Sequence, residues 1–251
     1  MIRGISEKRW LIAQQYQRTY QQQKALQICG YEKDIIFDRS IHSKRVCNLL
    51  SPFLTLTDSN RILEVGSGPN GIGFFINTGD RYGIDSLAGF YHHKFSSLQV
   101  GSKVKTICGK GEQLPFRAET FNLIICDNVL DHTMNPELVI KETQYVLKKN
   151  GVLFLAVDVH SWAGHLLSLI HEHLIGRWII LKWFGSHPFY FRYKDVVQLL
   201  NRYGFRIAFK DLQPHPPESN KARSVLSQLK LGLWKFLFHT RYNQIVCINL
   251  G

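Results

Sequence analysis

From Arg61 to Val157 short apolar runs alternate with longer amphipathic ones. Arg61–Val65, Arg81–Asp85, Lys103–Cys108, Phe121–Asn128 and Gly151–Val157 have the length and composition of strands, while segments opening at Ile72, Leu87 and Pro136 have helical periods. Parallel strands need a crossover between neighbours, so this order predicts an α/β fold built on a mostly parallel, doubly wound sheet. Two later runs, Phe205–Phe209 and Gln244–Leu250, bring the expected strands to seven, with a helix at Asp195–Tyr203 stopped by Gly204. Before them all, residues 1–58 read as helices, from Trp10, Ile12, Tyr16 and Tyr20 and then Ile41, Val46, Leu49 and Leu50.

A chain of 251 residues is long enough for one such domain with decorations. The expected division is N-terminal helices (1–58), a core (59–159), a helical cap insertion (160–190) and a sheet-completing end (191–251) carrying a basic apolar stretch at Leu229–Phe238. Residues 1–27 mix charges and glutamines without an apolar run, and Leu174–Phe184 is broken by Arg177 and Lys182. No signal peptide and no transmembrane span are expected, which favours the cytoplasm. Cys29, Cys47, Cys108, Cys126 and Cys247 lack C-x-x-C spacing, and three of them fall in strand-like runs, so they read as packed thiols. Basic residues exceed acidic ones by 19 to 14 in residues 1–150 and by 12 to 5 in residues 151–251, a bias that favours anionic partners.

Chemistry concentrates where the first strand ends. Glu64-Val-Gly-Ser-Gly-Pro-Asn-Gly71 is a tight turn whose glycines permit positive φ and close approach of a ligand to the backbone. Asp85 ends the next strand 19 residues after Gly66, where a carboxylate reaches a ribose diol. Together they predict a nucleoside-bearing cofactor; Gly66, Gly68 and Gly71 also satisfy G-x-G-x-x-G, which leaves nicotinamide and flavin open.

With Gly83-Ile-Asp85, Gly111-Glu-Gln-Leu-Pro-Phe116, Phe121 to His132 and Val146-Leu-Lys-Lys-Asn-Gly151 in order, residues 60–160 resemble the class I, Rossmann-like S-adenosylmethionine-dependent methyltransferases of the ubiquinone/menaquinone-biosynthesis-like (type 11) group. The resemblance implies S-adenosyl-L-methionine as cofactor, S-adenosyl-L-homocysteine as product, and no metal. It implies that Glu64, Gly66, Ser67 and Gly68 face the methionine part, and that Asp85 with Ser86 holds the ribose. Gly111, Glu112 and Leu114 would flank the adenine, while Asp127, Asn128 and His132 would border the methionine end. Two positions depart from the pattern: Asn70 stands where relatives have glycine, and Lys110 where they have an aspartate that accepts from the adenine amino group.

Methyl transfer needs alignment and, for oxygen acceptors, a base. Asp158 and His160, at i and i+2 after the fifth strand, are the leading acid/base pair; His132, His187 and Tyr190 are further candidates. The expected acceptor is a small or medium organic molecule, with the oxygen, nitrogen or carbon atom open. RNA, a peptide, a dehydrogenase activity and a non-catalytic assembly role are the alternatives. The aromatic and basic residues of 160–186 and 229–238 suit a cap over an apolar acceptor, a segment on a membrane surface, or simple packing of helices on the sheet.

Overall fold

The computed structural model describes residues 4–28, 30–99, 101–171, 187–214 and 241–251. Trp178, Trp183 and the Leu229–Phe238 stretch lie outside the described residues. Two helices, α1 (Glu7–Ile28) and α2 (Glu32–Leu50), precede β1 (Arg61–Val65) and β2 (Asp80–Asp85). Then follow α3 (Ala88–Lys94), α4 (Ser96–Gln99), β3 (Lys105–Cys108), β4 (Phe121–Asp127), α5 (Pro136–Val146) and β5 (Leu147–Val159). After β5 come α6 (Trp162–Ile170), α7 (Tyr193–Arg202), β6 (Phe205–Pro214) and β7 (Arg241–Asn249).

The strands form one sheet in the order β3-β2-β1-β4-β5-β7-β6, parallel except for β7, which is antiparallel to both neighbours. The central strands are buried on both faces. On β4, Ile124 and Cys126 join Val139 and Ile140 of α5 and Leu199 and Leu200 of α7, while Leu123 and Ile125 join Val46 and Leu50 of α2. The sheet reverses order between β1 and β4, and its carboxyl edge at that point is where ligands enter such folds.

One expected helix is absent. The segment opening at Ile72 forms only a 3-10 turn, Ile72–Phe75, before β2 begins. The reason is length. The chain must return along β1, about 17 Å for five residues at about 3.3 Å each, whereas the eight residues 72–79 wound as α-helix would advance only about 12 Å. A 3-10 turn followed by extended chain spans the gap, and α2 covers the exposed sheet face instead. Three buried groups hold the turn. Glu64 accepts from the Ile72 and Gly73 amides, each at 2.8 Å; Ser43 of α2 donates to Ile72 O at 3.0 Å; Arg81 donates to Ile76 O.

Other expectations shift in detail. Leu87–Leu98 breaks at Phe95 into α3 and α4. β5 begins earlier than Gly151, with Asn150 at φ +60. Cys126 and Cys247 are packed thiols, but Cys108 is exposed on β3, where the sheet ends.

Candidate active site

At the carboxyl edge of β1, β2 and β4 lies a cavity of about 270 Å³. Its floor is the turn after β1. Gly66 adopts φ +68, and a Cβ there would lie 2.3 Å from Val129 Cγ2, so only glycine fits. Gly68, at φ +57, turns its amide onto Asp85 Oδ2 at 3.0 Å, and Asp85 Oδ1 accepts from the Leu87 amide at 2.8 Å. Burial pushes the Asp85 carboxyl upward, and those amides pull it back only in part. Glu64 sits deeper. Burial pushes it up to about 8 despite its two amide partners.

Asn70, which stands where relatives have glycine, is not in a left-handed conformation; it is buried, and its Nδ2 has no hydrogen-bond partner. Ser67 lines the cavity, yet its Oγ lies against Gly83, where a Cβ would be 2.8 Å away. It therefore also fits the turn onto β2. Asn128 takes φ +58 as β4 ends, with its amide on Ala156 O at 2.8 Å. Ser86 donates to Gln14 of α1 at 2.9 Å. Glu112 lines the cavity but also accepts from the Met134 and Asn135 amides at 2.6 and 3.1 Å, fastening the start of α5. Gly111 lines the cavity as expected; Leu114 packs in the core and is not among the lining residues.

Trp10 apart, the opposite wall comes from residues that local sequence pattern did not reveal. Trp10, Gln14, Gln17, Gln21 and Lys24 face the cavity from α1, and Arg39 from α2. Their α1 spacing of four, three, four and three is a helical face, but a polar one, so a search for apolar periodicity passes over it. Tyr16 and Tyr20, which helped mark the helical period, are exposed. Lys110 Nζ lies 4.0 Å from the Trp10 ring centroid, a cation–π contact joining the departure at position 110 to this helix.

Asp127 at the end of β4 is held by His42 Nε2 at 2.9 Å and by the Tyr242 hydroxyl. Burial alone would raise its carboxyl; these two partners outweigh it and hold it below the usual range. One turn further, the structure gathers a second cluster. His187 Nδ1 lies 2.6 Å from Asp131 Oδ2, His132 Nε2 lies 3.7 Å from the same oxygen, and the two imidazole rings are 4.3 Å apart. Asp131 is buried, and its Oδ1 has no partner. Burial opposes its ionisation, but His132 and His187 hold it well below the usual carboxylate range. Burial would lower His187, but Asp131 and Asp158 raise it overall. The three side chains present ligand atoms within 4.8 Å of one another, a spacing that also suits a divalent cation, so the expected absence of a metal stays open.

Of the four catalytic candidates, His132 lines the cavity and His187 joins it through Asp131, which sequence reading had not marked. Asp158 is opposite Tyr242 in the β5/β7 register. The His160 amide donates to Phe191 O at 2.8 Å and its ring lies 4.4 Å from that of Tyr190, fastening residues 187–191 beside β5.

This sheet order, with a glycine turn and an acidic side chain at the ends of β1 and β2, defines the Rossmann-like nucleoside-cofactor class. Residues 63–155, just over a third of the chain, match the methyltransferase domain family. The chain is 26% identical over 86 residues to the ubiquinone biosynthesis O-methyltransferase of Bartonella bacilliformis, covering 34% of this chain and 35% of that one. It is 28% identical over 104 residues to an uncharacterized protein of Methanocaldococcus jannaschii, covering 41% and 47%. The matched segments thus span less than half of either relative. Its fold is similar to that of geranyl diphosphate C-methyltransferase from Streptomyces coelicolor A3(2), solved with Mg2+, geranyl diphosphate and S-adenosyl-L-homocysteine, at a TM-score of 0.62 and 10% identity over 87% of this chain and 84% of that one.

The cavity's chemistry fits S-adenosylmethionine. Asp85 offers carboxylate oxygens to a diol, Asn70 Nδ2 is a buried donor awaiting an acceptor, and Arg39 and Lys24 line the same cavity as Glu64 and Asp127, the two signs of charge that a zwitterion requires.

Proposed function

We propose that the protein transfers a methyl group from S-adenosylmethionine to a hydroxyl oxygen of a small or medium organic acceptor, in a biosynthetic role. The cofactor supplies an electrophilic methyl group on a sulfonium. In this reading Asp85 holds the ribose hydroxyls, Arg39 the carboxylate and Glu64 the ammonium, while α1 screens the cavity from water.

The observation that carries the choice of oxygen is the Asp131–His187 pair. Carbon and neutral amine acceptors need little proton removal, whereas a hydroxyl must give up its proton. Asp131 orients the imidazole through Nδ1 and stabilises its charged form, leaving Nε2 to take the acceptor's proton, the logic of a carboxylate–histidine dyad. His132 joins this pair to the cofactor cavity.

Two measurements test this. Calorimetric titration with S-adenosylmethionine, S-adenosylhomocysteine and NADH should give binding of the first two only, weakened about 100-fold or more in Asp85→Ala, since each hydrogen bond to a charged group contributes about 1.5–3 kcal/mol. S-adenosylhomocysteine release should then be followed across phenols, aliphatic alcohols and amines. Turnover confined to hydroxyl acceptors and lowered about 100-fold or more in His187→Ala, the usual scale of general-base catalysis, supports the reading. Turnover only on amines, or full activity of that variant, sinks it. Repeating the assay after chelation, then with Mg2+, Mn2+ or Zn2+ restored, separates a proton role of the cluster from a cation role.

A further inference from the structure

His132 and His187 both turn toward one buried carboxylate. His187 Nδ1 lies 2.6 Å and His132 Nε2 3.7 Å from Asp131 Oδ2, and each of the three side chains offers a ligand atom within 4.8 Å of the others. A proton accounts for half of this arrangement. An N–H from His187 satisfies Oδ2, but Oδ1 of the same carboxylate is buried without a partner. The His132 ring is also held 4.3 Å from the His187 ring, where two imidazolium charges would repel.

A divalent cation satisfies both groups, since carboxylate oxygens and the lone pairs of neutral imidazoles all bind it. Bonds of about 2.0–2.2 Å set neighbouring ligand atoms about 3–3.5 Å apart around a tetrahedral or five-coordinate ion. The two observed separations, 2.6 and 3.7 Å, fall on either side of that range. Two imidazoles with one carboxylate suit Zn2+, Co2+, Ni2+ or Fe2+, whereas Mg2+ and Ca2+ take oxygen ligands. The place is accessible, because His132 lines the cofactor cavity and the His187 side chain is 40% exposed. Asp158 adds a negative charge that acts on His187.

We propose that Asp131, His132 and His187 form a binding site for a divalent transition cation. A neutral imidazole has one ring nitrogen free to accept. Once His187 ligates the ion it has none left for the acceptor's proton, so the ion inhibits methyl transfer. That consequence, unlike the binding, rests on the base role proposed above.

Untagged full-length protein, stripped with a chelator and dialysed, is titrated with Co2+ and followed by the visible ligand-field absorption of the bound ion. The expected result is saturation at one equivalent, reversed by Zn2+ and unaffected by Mg2+. Loss of even an outer partner of a metal ligand costs about 10–100-fold in affinity, so His187→Ala and Asp131→Asn should each weaken binding about 100-fold or more. Circular dichroism reports folding, and His132→Gln replaces Asp131→Asn should the latter not fold. The exposed neighbours His92 and His93 are the competing surface site, and His92→Gln with His93→Gln should bind Co2+ as the native protein does. No Co2+ binding, equal binding by folded His187→Ala, or loss of binding in the surface variant overturns the proposal. Co2+ binding with Zn2+ that leaves or raises methyl transfer would keep the site and remove the base role of His187. Co2+ binding without S-adenosylhomocysteine binding would keep the site and remove the methyltransferase reading.

Discussion

Glu64 is a buried carboxyl whose oxygens already accept two amides, yet burial raises it to about 8. The folded protein therefore holds a proton there that the unfolded chain, with an ordinary carboxyl, releases. This contribution to stability is fully present below the usual carboxylate range and is lost as pH rises toward and through about 8. Thermal melts between pH 5 and 8 should fall more steeply for the native protein than for Glu64→Gln; parallel curves would contradict the assignment. A bound ammonium favours the ionised form, so S-adenosylhomocysteine should bind more tightly as pH rises over this window and release a proton, read as a buffer-dependent calorimetric enthalpy near pH 7. Gly71 is the partner constraint. A Cβ there would lie 2.3 Å from Glu64 Oε1, so Gly71→Ala should displace the carboxylate, with destabilisation of about 1–3 kcal/mol and weaker cofactor binding.

Among the elements, α1 and the short β1–β2 crossover distinguish this chain from a plain alternation of strands and helices. α1 is tied to the site by Gln14, which accepts from Ser86 Oγ and lies 3.5 Å from His132 O, and by the Trp10–Lys110 contact. Gln14→Ala should weaken S-adenosylhomocysteine binding about five- to tenfold, the loss of one or two hydrogen bonds at about 1 kcal/mol, while leaving the thermal midpoint little changed. An unchanged affinity would mean that α1 does not close on the ligand. The strands were legible in sequence because apolar runs, turn glycines and strand lengths are local properties. The missing helix after β1 was not, because Ile72 to Ile76 has a helical period and only the distance back along β1 forbids the helix. The inward face of α1 was hidden for the opposite reason, being lined by glutamines that no hydrophobic period marks.

Across the molecule, His42 of α2, Asp127 of β4 and Tyr242 of β7 meet at one partly buried carboxylate, joining parts of the chain 85 and 115 residues apart. Tyr242→Phe should lower stability by about 1.5–3 kcal/mol, or a few degrees in thermal midpoint at about 2–4 °C per kcal/mol for a domain of this size. His42→Gln should act non-additively with it, since both act through Asp127; additive effects in the double variant would rule out the shared link. The Asp131–His187 contact has the same character, closing 56 residues. Sequence alone settled the alternation of strands, the glycine turn and the placement of Asp85 at the end of β2, because each follows from backbone conformation and spacing within a few tens of residues. It also marked His132 and His187, but not the carboxylate between them. That contact belonged to the tertiary structure: hydrogen bonds between distant side chains leave no periodic trace, and only the fold brings Asp131, just past β4, against His187, 56 residues further along the chain.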